Sequence, residues 1–252
     1  MSTREPHTAA ILLIGDEILS GRTQDANLAH ISRKLNEVGV QVREARVVPD
    51  IEAEIVAALD ALRARYAYVF TTGGIGPTHD DITADSVAAA FGVACDYHPE
   101  AYAMMEATYP PGEFTEARKR MARTPVGASL IPNPVSKAPG FRMENVFVMA
   151  GIPRVMHVML EGALPLLEGG ARMLSRSIGV YLPEGRFGTA LAALQSRFAD
   201  VAIGSYPFAR DGKYGASLVL RSPHPPRLDE AAEAVRVMLI GIGGEPFDEE
   251  SP

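Results

Sequence analysis

The sequence predicts an α/β protein with a mostly parallel sheet, and three observations lead to this prediction. Short runs rich in apolar and β-branched residues recur along the first two thirds of the chain, as strands do. Segments with helical periodicity follow them, and this alternation implies parallel strands joined by crossover helices. The 252 residues are 47% hydrophobic and 22% charged, which is the composition of a globular protein.

The predicted strands of this first part each end at residues that stop a strand. They are Ala9–Ile14, Val40–Val48, Tyr66–Thr71 and Asn145–Ala150, with the short run Ser129–Ile131 before the last. Glycine or proline follows most of them within two residues. The sequence therefore predicts loops at the carboxyl ends of the strands.

The predicted helices lie between these strands and begin at residues that cap helices. They are a helix from Asp25 or Asn27 to Val38, then Glu52–Arg65, Ala84–Phe91, His98–Tyr109, Glu113–Arg123 and Pro153–Leu167. We expect Asp50 to cap the second of them, because it lies just before Glu52.

A change in the order of elements after Gly169-Gly170 predicts a second, smaller unit. The first domain is predicted at residues 8–168, and a small α+β subdomain at residues 172–244. Its elements are a strand Met173–Tyr181, a helix Gly185–Phe198, strands Val201–Tyr206 and Tyr214–Leu220, and a helix Leu228–Ile240. We expect the acidic tail Glu245–Pro252 to be frayed.

Composition argues against several classes of protein. No run of about 18 apolar residues exists, so no membrane span is predicted. Residues 1–7 lack the apolar core of a signal peptide, and we expect a cytoplasmic protein. Cys95 is the only cysteine, which rules out an intrachain disulfide. The 24 basic and 31 acidic residues give a net charge of −7, which opposes binding to nucleic acid.

The segment with the clearest functional pattern is TTGGIGPTHDDIT, residues 71–83. Gly73, Gly74 and Gly76 directly follow a buried strand, so the backbone can turn sharply and point N–H groups at an anion. Thr78 and Thr83 lie beside them, and the helix that follows adds the positive end of its dipole. A tight turn without a ligand is the alternative interpretation of such a loop.

Acidic residues next to this loop favour a cation between protein and ligand. Asp80 and Asp81 follow the glycines, Asp16 and Glu17 follow the first strand, and Asp50 follows the second. Carboxylates close to a phosphate repel it by about 4 kcal/mol for each contact near 4 Å at an effective dielectric of about 20. Magnesium bound by one or two carboxylates and by substrate oxygens would remove that conflict. The alternative is that Asp80 or Asp81 caps the following helix.

The motifs together resemble a known family. IGDEILSGRTQDAN, VVPD, TTGGIGPTHDDIT, PNPVSKAPGF and AGIP occur in this order within residues 8–168. This combination is similar to the molybdopterin-binding domain of the MoaB/Mog type, and more closely to the version found at the N-terminus of competence-damage proteins (CinA) and of eukaryotic FAD synthase. The resemblance continues weakly into the C-terminal unit through IGSYPF.

The resemblance implies a three-layer α/β sandwich, an assembly of two or three identical subunits, and chemistry at the acidic residues. In Mog-type enzymes, residues matching Asp50 and Asp81 assist adenylyl transfer to the phosphate of molybdopterin. In the CinA and FAD synthase versions, the domain is similar to a metal-dependent pyrophosphatase acting on ADP-ribose- or FAD-like molecules. In the loop Asn133–Phe141, Asn133 and Ser136 are then expected to contact a polar ring or ribose, and Lys137 a phosphate.

Three functions follow as hypotheses. The leading one is a divalent-metal pyrophosphatase with Asp81, Asp50 and Asp80 as catalytic residues, and with Asp16 and Glu17 assisting Asp81 and Asp80 in holding Mg²⁺ or a similar ion. The second is a protein of molybdenum-cofactor synthesis that binds molybdopterin or transfers an adenylyl group to it. The third is a module that retains the pocket and binds a nucleotide or pterin phosphate without turnover.

Overall fold

The structure is a computed structural model that describes residues 7–210 and 212–249. The chain divides into two compact units between Ala171 and Arg172. Within the described residues, none of the helices combines the length and the apolar character that a membrane span requires.

The N-terminal unit is built on a six-stranded sheet with the order β2-β1-β3-β8-β7-β6. Its strands are β1 His7–Ile14, β2 Val40–Val48, β3 Tyr68–Thr72, β6 Ser129–Ile131, β7 Gly140–Met143 and β8 Val146–Met149. The four strands β2, β1, β3 and β8 run parallel, and β7 and β6 continue the sheet in antiparallel pairing. The sheet is therefore mostly parallel, as predicted, although β7 lies partly in the segment predicted to be a loop.

Helices cover both faces of this sheet. They are α1 Asp16–Leu19, α2 Asn27–Glu37, α3 Glu52–Arg63, α4 Thr83–Phe91, α5 Pro99–Glu106, α6 Glu116–Arg120 and α7 Pro153–Ala163. Alternate residues of β1 point to opposite faces, so Ile11 packs with α2 and α7 while Leu12 packs with α3 and α4. Both side chains are fully buried. This arrangement is the three-layer sandwich that the motifs imply.

The loops that follow the parallel strands are packed against one another at one edge of the sheet. The Gly15 N–H after β1 donates to the carbonyl of Val48 at the end of β2, at 3.1 Å. The Gly73 N–H after β3 donates to the carbonyl of Met149 at the end of β8, at 3.2 Å. Because parallel strands share one direction, residues that follow β1, β2, β3 and β8 meet along this edge.

The segment between α4 and β6 differs from its prediction. The predicted helices His98–Tyr109 and Glu113–Arg123 are shorter in the structure, where α5 and α6 take their places. Arg123 belongs instead to β5 Arg123–Pro125, which pairs with β4 Cys95–Tyr97. Helical propensity suggested a continuous helix, but tertiary pairing of the backbone at Arg123 prevails.

The C-terminal unit contains a four-stranded antiparallel sheet with the order β10-β11-β9-β12 and two helices. Its elements are β9 Leu174–Val180, α8 Gly188–Arg197, β10 Ala202–Arg210, β11 Lys213–Ser222, α9 Pro225–Gly241 and β12 Phe247–Glu249. The expectation of a frayed tail is wrong at β12, which pairs with β9. The ring of Phe247 lies 5.5 Å from that of Tyr181, and this contact helps to hold the strand. Residues 250–252 lie outside the described residues.

Two capping predictions have different outcomes. The carboxylate of Asp25 accepts the N–H groups of Asn27 and Leu28 at 3.1 and 3.0 Å, which supports the start of α2. Asp50 does not cap α3, whose first turn has no side-chain cap. Its carboxylate accepts the N–H of Asp16 instead, at 3.0 Å. The prediction for Asp50 is wrong because this side chain contacts the loop after β1 rather than its own helix.

A stacked histidine pair makes the stability of the N-terminal unit depend on pH. The rings of His30 on α2 and His157 on α7 lie 3.6 Å apart. Burial lowers the pKa of His30, and the nearby His157, Arg33 and Lys34 lower it further, while Glu161 raises it. A histidine whose pKa is lowered by folding binds fewer protons in the native state than in the unfolded state. Stability is then retained above the unfolded pKa of about 6.5 and decreases as the pH falls below it.

We expect His30→Gln to reduce this pH dependence. The melting temperature of the wild type should decrease between about pH 7 and pH 5, and that of His30→Gln should decrease less, because the variant has no group to protonate there. His79→Gln is the control, since 98% of the His79 side chain is exposed. Equal pH dependence in wild type and His30→Gln would contradict the assignment.

Candidate functional site

The backbone of the Gly-rich loop is held open in a conformation that requires glycine. Gly73 and Gly74 have φ values of 105° and 66°. A Cβ at Gly73 would collide with the carbonyl oxygen of Ile14, and one at Gly74 with the hydroxyl oxygen of Thr83. The N–H groups of Gly74, Ile75 and Gly76 have no acceptor within residues 7–210 and 212–249. Three consecutive free N–H groups are a suitable surface for an anion.

Other predicted ligand contacts support the loop instead. Thr83 is fully buried; its hydroxyl donates to the carbonyl of Gly73 at 3.0 Å, and its N–H to that of Gly74 at 3.0 Å. Thr78 donates from its N–H, at 2.8 Å, and from its hydroxyl to one carboxylate oxygen of Asp81. Thr83, Thr78 and the N–H of Gly73 therefore fix the loop, whereas Gly74 and Gly76 present free N–H groups. The interpretation of Asp80 or Asp81 as a cap of α4 is wrong, because this helix has no side-chain cap.

Asp50 lies among other carboxylates at the ends of β1, β2 and β3. It is half-buried, and burial raises its pKa, while the hydrogen bond from the Asp16 N–H acts in the opposite direction. The negative charges of Asp16, Glu17 and Asp80 raise the pKa of Asp50 further. The sequence predicted a shared site for these acidic residues, which come from three separate loops. In the structure Asp16, Glu17 and Asp80 lie within electrostatic range of Asp50.

Asp80 and Asp81 differ in environment although they are adjacent. Asp80 is exposed, and hydrogen bonding within the loop and the nearby His79 lower its pKa. Asp81 is half-buried, with one carboxylate oxygen held by Thr78. A Cβ on Gly76 would lie 2.6 Å from that oxygen, so the carboxylate covers the glycine closely. Asp80 is therefore a charged group on the surface, whereas the carboxylate of Asp81 is held in place by hydrogen bonds from Thr78.

The carboxylates fit a divalent cation only together with a ligand. Among the described residues, no three histidine, cysteine or acidic side chains are grouped so that they could hold a metal ion by themselves. Mg²⁺ commonly binds through one or two carboxylates, substrate oxygens and water rather than in a cage made by protein alone. Burial and the negative charges of Asp16, Glu17 and Asp80 raise the pKa of Asp50, and a cation beside these groups would lower their mutual repulsion.

A cleft lies beside the Gly-rich loop and contains basic residues. Its lining includes Gly74, Gly76 and Asp81 from the loop, Arg120 at the end of α6 and Arg123 on β5. Arg120 donates to the carbonyl oxygen of Asp81 at 3.4 Å.

Two charged residues that line this cleft, Arg123 and Asp85, neutralise each other. Arg123 donates to both carboxylate oxygens of Asp85, at 3.0 and 2.7 Å, and to the carbonyl of Cys95 at 3.3 Å. Asp85 and Arg123 thus form a bidentate ion pair that fixes part of the cleft wall.

The loop between β6 and β7 is organised by Asn133. This residue is buried; its amide donates to the Ser136 hydroxyl and the Ala138 carbonyl at 2.6 and 2.8 Å. Its side-chain oxygen accepts the N–H groups of Val135 and Ser136. The expected contact of Asn133 with a ring or ribose is therefore replaced by hydrogen bonds within the loop. Lys137 is exposed with φ of 65°, and Pro139 from the same loop lines the cleft beside Asp81.

Sequence patterns did not point to Arg120, Arg123 or Asp85. Arg120 and Arg123 follow Asp81 by about 40 residues, in a segment predicted to be one helix. Helical periodicity gives no indication that this segment folds back over the Gly-rich loop. Ile75 was also missed, because its contribution is a backbone N–H and not a side chain.

Comparisons with known proteins agree with this architecture. Residues 10–169 match the family described as "probable molybdopterin binding domain", and residues 172–242 match the middle domain of FAD synthase. A crystal structure of CinA from Thermoplasma acidophilum is 33% identical and covers 63% of this chain and 96% of that one, with a TM-score of 0.59.

Curated relatives include proteins that are longer than the matched segment. A CinA-like protein from Citrifermentans bemidjiense is 42% identical over 167 residues, which are 64% of this chain and 40% of that protein. A protein from Caldivirga maquilingensis is 39% identical over 166 residues, 64% of this chain and 65% of its own length. The match thus spans less than two thirds of each relative. With residues 10–169 matched, the chain belongs to the family described as probable molybdopterin binding domain.

Proposed function

We propose that this protein is a metal-dependent pyrophosphatase that hydrolyses the diphosphate of ADP-ribose- or FAD-like molecules. The observation that carries the proposal is the combination of three free N–H groups, at Gly74, Ile75 and Gly76, with carboxylates at the ends of neighbouring strands. Free backbone donors suit phosphate oxygens. An anion-binding module alone does not need several carboxylates beside those donors, whereas hydrolysis assisted by a cation does.

Three roles in this reaction are assigned to residues of the chain: phosphate binding, cation binding and proton transfer. The N–H groups of Gly74, Ile75 and Gly76 bind phosphate oxygens and orient the diphosphate. One or two of the carboxylates of Asp81, Asp80, Asp16 and Glu17 would hold a divalent cation together with phosphate oxygens, and that cation would neutralise phosphate charge and make a coordinated water more acidic. Asp50 would accept a proton from the attacking water, since burial raises the pKa of this carboxyl and makes it a better base than an exposed aspartate.

The reaction balances without a further reactant. Water adds to one phosphorus of the diphosphate, and the bond from that phosphorus to the bridging oxygen breaks. The two products are phosphate monoesters, such as AMP and ribose 5-phosphate from ADP-ribose. The proton from water passes first to a carboxylate and then to solvent.

A second function is favoured by the family itself. The family description names molybdopterin, so binding of this pterin phosphate or adenylyl transfer to it is the alternative. Incubation of the protein with ADP-ribose, FAD or ATP and Mg²⁺, Mn²⁺ or Co²⁺ separates the two. Release of AMP from ADP-ribose or FAD supports the pyrophosphatase. No release, together with binding of molybdopterin, supports the alternative. Thermal stabilisation by these ligands without any product supports a module that only binds.

A further inference from the structure

Arg120 is a half-buried cation in the cleft beside the Gly-rich loop. One of its guanidinium nitrogens lies 3.4 Å from the carbonyl oxygen of Asp81. This is a long hydrogen bond to a neutral acceptor, and a guanidinium has five N–H donors. Most of the hydrogen-bonding capacity of Arg120 therefore remains unused within residues 7–210 and 212–249.

The neighbouring basic residues differ from Arg120 because each has a carboxylate partner. Arg118 lies 3.4 Å from Glu113 and stacks over Tyr109, and Lys119 lies 2.7 Å from Glu116. In the part of the chain that the structure describes, no carboxylate lies within ion-pair distance of Arg120. A partly desolvated charge without a counter-ion is unfavourable, and an anionic ligand would supply the missing counter-ion.

The four charged side chains that line the cleft balance one another in number. Asp81 and Asp85 contribute negative charge, and Arg120 and Arg123 contribute an equal positive charge. Asp85 and Arg123 form an ion pair with each other. Arg120 is therefore the cation of this lining that has no carboxylate partner among the described residues.

We propose that Arg120 is a substrate-binding residue that contacts the diphosphate beside the Gly-rich loop. Its planar guanidinium can donate two parallel hydrogen bonds to non-bridging phosphate oxygens, while the N–H groups of Gly74–Gly76 hold the others. The inference rests on the proposed diphosphate substrate and adds the residue that distinguishes a diphosphate from a neutral nucleoside.

The test compares Arg120→Met with Arg118→Met, a matched control on the same helix. Calorimetric titration with Mg²⁺ uses ADP-ribose whose bridging oxygen is replaced by methylene, so that the ligand is not consumed. We expect Kd to rise about 10- to 100-fold in Arg120→Met and less than about threefold in Arg118→Met. Adenosine, which has no phosphate, should bind equally to both variants and to the wild type.

The binding and hydrolysis measurements test the Arg120 inference and the pyrophosphatase proposal separately. If Arg120→Met binds the analogue as the wild type does, Arg120 is not a ligand and the inference is overturned, whatever the hydrolysis assay shows. If the wild type releases no AMP but Arg120→Met loses affinity, the pyrophosphatase proposal fails and Arg120 remains a diphosphate ligand. Should Arg120→Met not fold, Arg120→Lys retains the charge without the planar fork and should show a smaller loss of affinity. Unchanged affinity in a folded Arg120→Met, or in Arg120→Lys where Arg120→Met does not fold, overturns the inference.

Discussion

Asp81→Asn should reduce the release of AMP from ADP-ribose by about 10²- to 10⁴-fold, the range that removal of a positioned catalytic group produces. The substitution removes the negative charge that a divalent cation needs. It keeps the oxygen that accepts the Thr78 N–H and hydroxyl, so the loop should retain its conformation. Steady-state kinetics with saturating Mg²⁺ measures the loss, and the melting temperature reports whether the fold is intact.

Asp60→Asn is the matched control for this experiment. Asp60 is an exposed aspartate on α3 whose carboxylate contacts Arg63. It lies eight residues after Glu52, the first residue of α3, so a rise of about 1.5 Å per residue places it some 12 Å along the helix. We expect activity within about twofold of the wild type. An Asp81→Asn protein as active as Asp60→Asn would show that Asp81 has no catalytic role.

Gly73→Ala is expected to be the most destabilising single substitution in the loop. Its φ of 105° is unfavourable for alanine, and the added Cβ would collide with the carbonyl oxygen of Ile14 in the buried strand β1. We expect a loss of about 3 kcal/mol in the free energy of unfolding, from backbone strain and displacement of the strand together. Urea denaturation measures this loss, and ligand affinity should fall because the free N–H groups move.

Gly92→Ala separates these two contributions. Gly92 ends α4 with φ of 65°, and a Cβ there would meet no atom within 4 Å. The left-handed conformation alone should then cost about 1 kcal/mol. Equal losses in Gly73→Ala and Gly92→Ala would mean that the contact with Ile14 contributes nothing.

The central part of the fold was accessible from the sequence because it is determined locally. The predicted run Ala9–Ile14 forms most of β1, and it is buried on both faces and therefore appears as an uninterrupted apolar segment. Asp25 also signalled the start of α2 correctly, because capping is a local interaction. The motifs were sufficient to identify the family, which the sequence comparison confirms.

The remaining features depend on contacts between distant residues. β12 is acidic and short, and it forms only because β9 offers an edge for pairing. Arg123 leaves the predicted helix for the same reason, by pairing with Tyr97. Within the candidate site, the sequence indicated the carboxylates, whereas only the structure reveals that Asn133 and Thr83 are used internally. Hydrogen-bond partners of this kind cannot be deduced from residue type.

The most direct test of the central claim is the affinity for the methylene analogue of ADP-ribose, measured for wild type and Asp81→Asn with Mg²⁺ and with EDTA. We predict a reversal of the order of the two affinities. With Mg²⁺ the wild type binds at least about tenfold more tightly than Asp81→Asn, because Asp81 helps to retain the cation. With EDTA, Asp81→Asn binds as tightly as the wild type or more so, since one repulsive charge is absent. Affinities that do not change with Mg²⁺ in either protein would contradict the idea that a cation joins these carboxylates to a phosphate.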